Sequence, residues 1–221
     1  MDKDIEYIEQ LLFQNSSQID DLRPYAAQHN VPIMDKISTE FVKQIIRIKE
    51  AKNILEIGTA IGYSAMHFAS CHNDIKVWTI ERNEEMYELA ARNIKQYGFE
   101  NQVHPIFADA LKAEKFIPNE IKFDMIFIDA AKAQSQKFFE LYEPFLKNDG
   151  VIITDNILYH GFVSDIDIVR SRNVRQMVKK VKNYNEWLIN RKDYKTTLMN
   201  VGDGIAISKK ELEVWQNTSY A

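Results

Sequence analysis

The chain has 221 residues, of which 45% are hydrophobic, so it is long enough for one sizeable core and short for two ordinary domains. A formal net charge of -4 argues against a protein that coats nucleic acid non-specifically, and a single cysteine, Cys71, excludes an internal disulfide. Because no apolar run approaches the ~20 residues of a membrane span and residues 1–4 do not resemble a signal peptide, we expect a cytoplasmic protein.

The first forty residues predict small cap helices and a loop. Apolar residues at helical spacing indicate one helix over Ile5–Phe13 and a second that begins near Asp20. The Val31–Met34 segment interrupts the pattern because proline restricts the residue before it, and a further helix is expected from Ser38. We expect this loop to lie beside the next feature of the chain, a glycine-containing corner.

Residues 53–64, NILEIGTAIGYS, predict a strand, a tight turn and a helix, which is typical of nucleotide-binding corners. A dinucleotide fingerprint would have a second glycine two residues after Gly58, where this chain has Ala60. The carboxylate of Glu56 also suits the amino group of an amino-acid-like ligand, such as S-adenosylmethionine, better than a phosphate. The alternative is that both glycines only end a strand and begin a helix, as in any α/β protein.

Later strands repeat the pattern of an apolar run that ends in a polar residue. The expected strands cover residues 77–80, 104–108, 123–129 and 151–154. Helices are expected between them over Glu84–Tyr97 and Ser135–Leu146, and a turn is expected at Asp149–Gly150. Glu81 stands near the ~20-residue offset at which an acidic side chain binds ribose hydroxyls. Asp109 and Ala110 end the third strand, where an adenine amino group could bind.

Three oxygen-bearing residues follow the fourth and fifth strands: Asp129, Asp155 and Asn156. Ligands of open parallel sheets bind at the carboxyl ends of the strands, so these side chains are expected to meet. Carboxylate and amide oxygens suit Mg²⁺. The alternative is that each acid only caps a following helix.

The segment from Asp165 to Arg191 has helical spacing and is the most basic part of the chain. Its cations could bind a phosphate backbone, and the aromatic residues Tyr159, His160 and Phe162 could stack on an unpaired base, although a solvated helix face is the ordinary alternative. The cations are Arg170, Arg172, Arg175, Lys179, Lys180 and Lys182. Beyond them, residues 196–199 and 205–207 flank a glycine-rich turn and predict an antiparallel hairpin that closes the sheet.

Four strings resemble the metal-dependent O-methyltransferases of the catechol and caffeoyl-CoA type: residues 55–64 (LEIGTAIGYS), 127–132 (FIDAAK), 153–156 (ITDN) and 202–206 (GDGIA). The resemblance extends from about residue 31 to 209. Within the family, residues 25–34, 80–84 and 184–188 are similar to the bacterial subgroup that methylates 5-hydroxyuridine at the tRNA wobble position (34) to 5-methoxyuridine. The tRNA anticodon stem-loop would then be the partner, and the resemblance also implies a homodimer.

The implied fold is α/β and Rossmann-like, that of the class I methyltransferases, with a mostly parallel seven-stranded sheet, a C-terminal antiparallel hairpin and N-terminal cap helices. One domain would span 1–221, with cap helices and loop over about 1–40, the core over about 41–210 and a tail over 211–221. We assign the tail no function.

The resemblance also implies roles for individual residues. Asp129, Asp155 and Asn156 would hold Mg²⁺, and Lys132 and Asp129 would be catalytic, with Lys132 as general base. The S-adenosylmethionine site would contain Met34, Glu56, Gly58, Ser64, Glu81, Asp109, Ala110 and Asp129. Ala110 stands where the catechol enzymes have a serine, so adenine would contact the backbone there or Asp109. The alternatives are core packing for Met34 and a solvated helix start for Lys132.

Two rival functions remain open from the sequence. One is a small-molecule O-methyltransferase that acts on a catechol or caffeoyl-CoA-type acceptor with the same cofactor and metal. The other is a non-catalytic module that keeps the nucleoside-binding fold. In 5-hydroxyuridine the 5-hydroxyl and 4-oxo groups are adjacent and could chelate a metal as a catechol does.

Overall fold

The computed structural model describes residues 3–14, 17–118 and 120–211, and in these residues seven strands form one sheet. The strands are β1 (Asn53–Ile57), β2 (Lys76–Glu81), β3 (Val103–Phe107), β4 (Phe123–Ile128), β5 (Leu146–Asp155), β6 (Tyr194–Met199) and β7 (Ile205–Lys210). Their order is β3-β2-β1-β4-β5-β7-β6. The first five are parallel, whereas β7 runs antiparallel to β5 and β6. The expected Rossmann-like fold and its closing hairpin are therefore confirmed.

Helices cover both faces of the sheet. They are α1 (Lys3–Phe13), α2 (Leu22–His29), α3 (Lys36–Lys49), α4 (Tyr63–Ala69), α5 (Glu84–Gln96), α6 (Ser135–Tyr142) and α7 (Arg172–Asn190). Successive strand side chains point to opposite faces, so Ile54 packs in a cluster with α3, α4 and α5, and Leu55 packs in a second cluster with α6 and α7. The central strands are apolar on both faces, as expected of parallel strands that are covered on both sides.

Two predicted boundaries are wrong in the α6–β5 region. The helix expected to reach Leu146 ends at Tyr142, and a 3-10 turn with Pro144 in its first positions follows. Proline lacks the N–H that a continued helix would need. Strand β5 then begins at Leu146, so the turn expected at 149–150 lies inside the strand, where the pairing with β4 shifts register.

Two helices begin elsewhere than the apolar spacing indicates. Helix α3 begins at Lys36 because the Asp35 carboxylate accepts the Ser38 backbone N–H at 2.9 Å. Helix α7 begins only at Arg172, after a 3-10 turn at Ile166–Ile168.

No described helix is both long and apolar enough to cross a lipid bilayer. Apart from Glu211, the tail expected over 211–221 lies outside the described residues.

Candidate active site

The corner between β1 and α4 is fixed by close backbone contact with the end of β4. Gly58 has φ +107°, and a Cβ atom there would lie 2.0 Å from the Asp129 carbonyl oxygen. The Asp129 N–H donates to the Ile57 carbonyl oxygen at 3.0 Å, which holds the two strand ends together. Gly62, with φ +82°, caps α4 in the left-handed region. Glycine at 58 is therefore required both by the backbone angle and by the space available.

A cavity of about 1070 Å³ opens at the carboxyl ends of the parallel strands. Its lining contains most of the residues expected at the cofactor and metal sites: Met34, Gly58, Ser64, Glu81, Asp109, Ala110, Asp129, Lys132, Asp155 and Asn156. The Val31–Met34 segment also lines it, as the sequence led us to expect. A cavity of this size at this edge is suited to a nucleoside-sized ligand and a second molecule beside it.

Glu56 is not among the residues that line the cavity, although Ile57 and Gly58 beside it are. Its side chain is fully buried, and one carboxyl oxygen accepts the Thr79 hydroxyl at 2.5 Å. Burial raises the pKa of Glu56 to about 8, while the hydroxyl groups of Ser64 and Thr79 lower it. The ionised form would be favoured by a positive charge in the cavity above, so Glu56 would act on a cationic ligand through its field.

The Glu81 carboxylate is held at the end of β2 by three backbone N–H groups. One oxygen accepts from Ala60 at 3.0 Å, and the other accepts from Arg82 at 2.9 Å and Asn83 at 2.8 Å. A carboxylate can accept about four hydrogen bonds, so a fixed oxygen still faces the cavity with capacity for a hydroxyl group. Glu81 can therefore accept a hydrogen bond from a ligand hydroxyl in the cavity, and its binding to ribose stays a prediction.

The expected adenine end is formed mostly by backbone. Asp109 is exposed and its carboxylate accepts the Leu111 N–H at 2.9 Å. Ala110 is buried, and its carbonyl oxygen accepts the Tyr142 hydroxyl at 2.5 Å. A carbonyl oxygen can accept two hydrogen bonds, so both the Ala110 carbonyl and the Asp109 carboxylate could still accept from an adenine amino group.

Asp129, Asp155 and Asn156 meet at the ends of β4 and β5, where the Lys132 ammonium donates to the Asn156 side-chain oxygen. Burial and then the charge of Asp129 raise the pKa of Asp155 to about 8. Burial also raises the pKa of Asp129, while the charge of Lys132 lowers it. The two carboxyl groups therefore repel each other when both are ionised, and a cation between them would relieve that repulsion.

The donor chemistry of this set fits a hard cation. Within the described ranges, no three His, Cys, Asp or Glu side chains come together as a metal site. The set at the cavity instead combines two carboxylates with an amide oxygen, and a lysine ammonium already lies against it. Oxygen donors of this kind are those that Mg²⁺ binds.

The sequence predicted no role at the site for several residues that line the cavity. Tyr63, Met177 and Asp203 all line the cavity, and they come from α4, α7 and the β6–β7 turn. The glycines on either side of Asp203 indicated only a hairpin. Tyr159 and His160, which the sequence suggested for base stacking, do line the cavity, and Phe162 packs against both rings.

The basic residues of the 165–191 segment differ in the contacts they make. Arg170, Arg172, Lys179, Lys180 and Lys182 are exposed. Arg175 is exposed as well, and its guanidinium also donates to the carbonyl oxygens of Val169 and Asp167, so it holds the chain before α7. Its binding to phosphate stays a prediction.

A buried polar cluster connects the N-terminal segment to α4. The Asp20 carboxylate accepts the Tyr63 hydroxyl at 2.7 Å and the Lys36 ammonium at 2.5 Å, and His67 Nε2 lies 3.4 Å from it. Burial by itself raises the pKa of Asp20. The hydrogen bonds, chiefly those from Lys36 and Tyr63, together outweigh burial and bring the pKa down to about 2. Burial lowers the pKa of His67 to about 4. The cluster therefore holds an ionised acid and a neutral imidazole.

Arg23 extends this cluster to the cavity. Its guanidinium donates to the Tyr63 hydroxyl at 3.0 Å and to the Met34 carbonyl oxygen at 3.2 Å. Met34 and Tyr63 both line the cavity. The loop that borders the cofactor end is thus tied to α4 through side-chain hydrogen bonds.

Comparisons with known proteins agree with this geometry. A family model described as O-methyltransferase matches residues 10–211. A caffeoyl-CoA O-methyltransferase from Medicago sativa is 30% identical over 201 residues, which cover 86% of this chain and 80% of the relative. A Staphylococcus aureus structure described as a candidate caffeoyl-CoA O-methyltransferase is 56% identical, with TM-score 0.92 and coverage of 95% and 100%. A Bacillus cereus O-methyltransferase in complex with SAH is 26% identical, with TM-score 0.80 and coverage of 93% and 96%.

Proposed function

The chain belongs to the O-methyltransferase family, and from that premise we propose that it transfers a methyl group from S-adenosylmethionine to a hydroxyl oxygen that has a second oxygen beside it. One observation carries the proposal. A single cavity joins the Gly58 corner to the two carboxylates and the amide at the ends of β4 and β5, and it also contains a lysine. The set of groups needed for a metal-assisted methyl transfer therefore lines one space.

When bound, S-adenosylmethionine supplies an electrophilic methyl group, and Mg²⁺ supplies a charge that lowers the pKa of a hydroxyl oxygen held against it. Asp129, Asp155 and Asn156 would hold the metal. Glu81 would hold the ribose, Met34 and Ser64 would lie along the methionine end, and Asp109 would face the adenine.

Lys132 would take the proton from the acceptor hydroxyl. Its ammonium lies against the Asn156 side-chain oxygen and lines the same cavity, within reach of an acceptor hydroxyl held there. Lys132 would keep the hydroxyl proton when the bound donor gives its methyl group to the acceptor oxygen and leaves as the neutral thioether, so charge would be conserved.

We propose a small catechol or caffeoyl-CoA-type compound as the first acceptor class. The Medicago sativa relative carries that activity in its name, and the Staphylococcus aureus structure carries the same description. A catechol presents two adjacent oxygens, which matches an oxygen-donor metal set that must leave positions open for substrate.

The second acceptor candidate is 5-hydroxyuridine at the tRNA wobble position (34). It is favoured by the side chains around the cavity mouth. Met177 of α7 lines the cavity, and Lys180 lies one turn further on the same face of the helix and is exposed. Tyr159 and His160 offer rings to an unpaired base on the same rim.

A side-by-side methylation assay tests both acceptor classes. The purified protein is given S-adenosylmethionine and Mg²⁺ with caffeoyl-CoA, with a simple catechol, and with tRNA that carries 5-hydroxyuridine, and the methylated product is identified by mass. Removal of Mg²⁺ with a chelator should stop turnover. Methyl transfer to none of the three acceptors would refute the proposed function.

Salt dependence then separates the acceptor classes. Contacts with a phosphate backbone release counterions, so activity on tRNA should fall steeply as salt is added, whereas activity on the catechol should not. Replacing Arg170 and Arg172 with alanine should raise KM for tRNA and leave KM for the catechol unchanged. If tRNA is a poor substrate at every salt concentration, the hypothesis of a tRNA acceptor is refuted and that of a small-molecule acceptor remains.

We also propose a homodimer. Helix α1 has no buried residue, and the side chains of Ile5, Ile8 and Leu11 on it are each more than 40% exposed. Apolar side chains on one exposed helix face favour association with a second copy. Light scattering should give twice the chain mass, and replacing Ile8 and Leu11 with aspartate should give the monomer. Ile189→Asp, an exposed isoleucine on α7, is the control and should remain dimeric.

A further inference from the structure

The chain that leaves β5 adopts an uncommon backbone conformation beside the cavity. Asn156, Tyr159 and His160 all have positive φ angles, of +59°, +48° and +59°. Residues with a side chain rarely adopt this region, and they remain in it only where their surroundings hold them there. The segment 156–160 therefore has to be held by other parts of the chain.

The turn between β6 and β7 holds it. The Ile157 N–H donates to the Gly204 carbonyl oxygen at 3.1 Å, and the Leu158 N–H donates to the Asp203 carbonyl oxygen at 2.9 Å. The His160 N–H donates to the Asp203 carboxylate. A Cβ atom on Gly204 would lie 2.4 Å from the Leu158 side chain, so the turn and the segment are in direct contact.

The second carboxylate oxygen of Asp203 has an unusual environment. It is buried, and no hydrogen bond reaches it from the part of the chain that the structure describes. The His160 Nδ1 atom lies 3.7 Å away, and the His160 side chain is 69% exposed while that of Asp203 is 18% exposed. A buried carboxylate oxygen without a partner is unfavourable, and a small rotation of the imidazole would supply the partner.

We propose that Asp203 is a positioning residue for acceptor binding and acts through His160. The carboxylate fixes the backbone at residue 160 and orients the imidazole, so that Nδ1–H donates to Asp203 and Nε2 remains available toward the cavity. The rings of Tyr159 and Phe162 lie 5.3 and 6.2 Å from the His160 ring, so the imidazole is part of an aromatic group on the rim. A planar acceptor would pack on this group. This inference rests on the proposed function.

Two substitutions at position 203 separate the two contacts. Asp203→Asn keeps an oxygen that can accept the His160 N–H but removes the charge that faces the imidazole. Asp203→Ala removes both contacts. Asp165→Asn is the matched control, because Asp165 is an exposed acid of the same connection that also accepts a backbone N–H, from Asp167.

Acceptor binding is measured with 4-nitrocatechol in the presence of Mg²⁺ and S-adenosylhomocysteine, using its visible absorption. Asp203→Asn should weaken nitrocatechol binding about tenfold, the loss of one charge-assisted hydrogen bond, and should leave S-adenosylhomocysteine binding unchanged. Hydrogen exchange in residues 157–160 should stay as in the wild type for Asp203→Asn and should become faster for Asp203→Ala. Asp165→Asn should resemble the wild type in all three measurements.

A double-mutant cycle then tests whether Asp203 acts through His160. His160→Ala should weaken nitrocatechol binding, and adding Asp203→Asn to it should cause little further loss. Wild-type affinity in Asp203→Asn, full additivity of the two changes, or failure of the wild type to bind nitrocatechol would each overturn the inference. Methyl transfer by the wild type decides the proposed function separately, because none of these readouts requires turnover.

Discussion

Replacement of His67 with glutamine should remove one contribution to the pH dependence of stability between about pH 4 and about pH 6.5, the part in which stability rises with pH. The imidazole is fully buried beside Asp20, and burial lowers its pKa from the ordinary 6.5 to about 4. The unfolded chain therefore takes up a proton near pH 6.5, whereas the folded chain takes it up only near pH 4. In this window the unfolded state binds more protons, so the wild type loses stability as pH falls.

The magnitude follows from the difference between the two pKa values. Each pKa unit corresponds to about 1.4 kcal/mol, so a difference of about 2.5 units gives about 3.4 kcal/mol once the pH is below both values. Between about pH 7.5 and about pH 4.5 the expected loss is about 2.5 kcal/mol. Glutamine does not titrate, so its own cost of burial is the same at every pH and cancels from the pH dependence.

Other buried groups act in the opposite direction, so the wild-type curve alone is not diagnostic. Burial raises the pKa values of Glu56 and Asp155 to about 8, and raised acid pKa values mean that stability is lost as pH rises from about 4 to about 8. Both terms are common to the wild type and the His67 variant. The difference between the two proteins isolates the imidazole.

Urea unfolding followed by tryptophan fluorescence measures this difference at a series of pH values. His72→Gln is the matched control, because the side chain of His72 is 70% exposed, and this variant should follow the wild type. The test quantity is the free energy of unfolding of the wild type minus that of His67→Gln. If this difference changes by less than about 0.5 kcal/mol over the pH window, the reasoning is refuted.

Three further predictions concern the cavity. Gly58→Ala should reduce the free energy of unfolding by roughly 2–4 kcal/mol, because its Cβ would meet the Asp129 carbonyl oxygen in addition to the positive φ. Gly98→Ala, which has a similar positive φ but open space, should lose only about 1 kcal/mol in the same denaturation assay. Glu81→Gln should weaken S-adenosylmethionine binding about tenfold by calorimetry with no change in nitrocatechol binding; equal cofactor affinity would remove Glu81 from the site. Asp155→Asn should abolish methyl transfer, keep cofactor binding and, without metal, make the protein more stable at about pH 9, because the charge that burial and Asp129 oppose is gone. A less stable variant at that pH would contradict this account.

The features that the sequence predicted well are those encoded by neighbouring residues. The corner from β1 to α4 combines an apolar run with two glycines, and helix α5 has regular apolar spacing and a glycine after its end, so both were located within one or two residues. The acids at the strand ends were also found, because topology alone brings the ends of parallel strands to one edge.

The features that the sequence missed depend on contacts between distant residues. The cluster around Asp20 joins residues up to 47 positions apart in the chain, and nothing local marks His67 as its neighbour. The full burial of Glu56 between β2 and β4 also depends on sheet packing and is not marked by its neighbours in the sequence, and its role at the cofactor stays a prediction. The hydrogen bonds from the exposed Arg175 to the chain before α7 also join residues whose contact no local pattern indicates.

The two halves of the cavity are constructed differently, and this bears on how acceptor preference is set. The proposed cofactor half is fixed by backbone contacts, with Gly58 against the Asp129 carbonyl and the Glu81 carboxylate held by three N–H groups. Contacts of this kind tolerate little change, so we expect relatives that keep them to use the same methyl donor. The proposed acceptor half contains side chains of segment 156–160, which the turn at Asp203 holds in an unfavourable conformation. Substitutions in that segment or turn can alter the rim without disturbing the sheet, so we expect differences in acceptor between relatives to lie there.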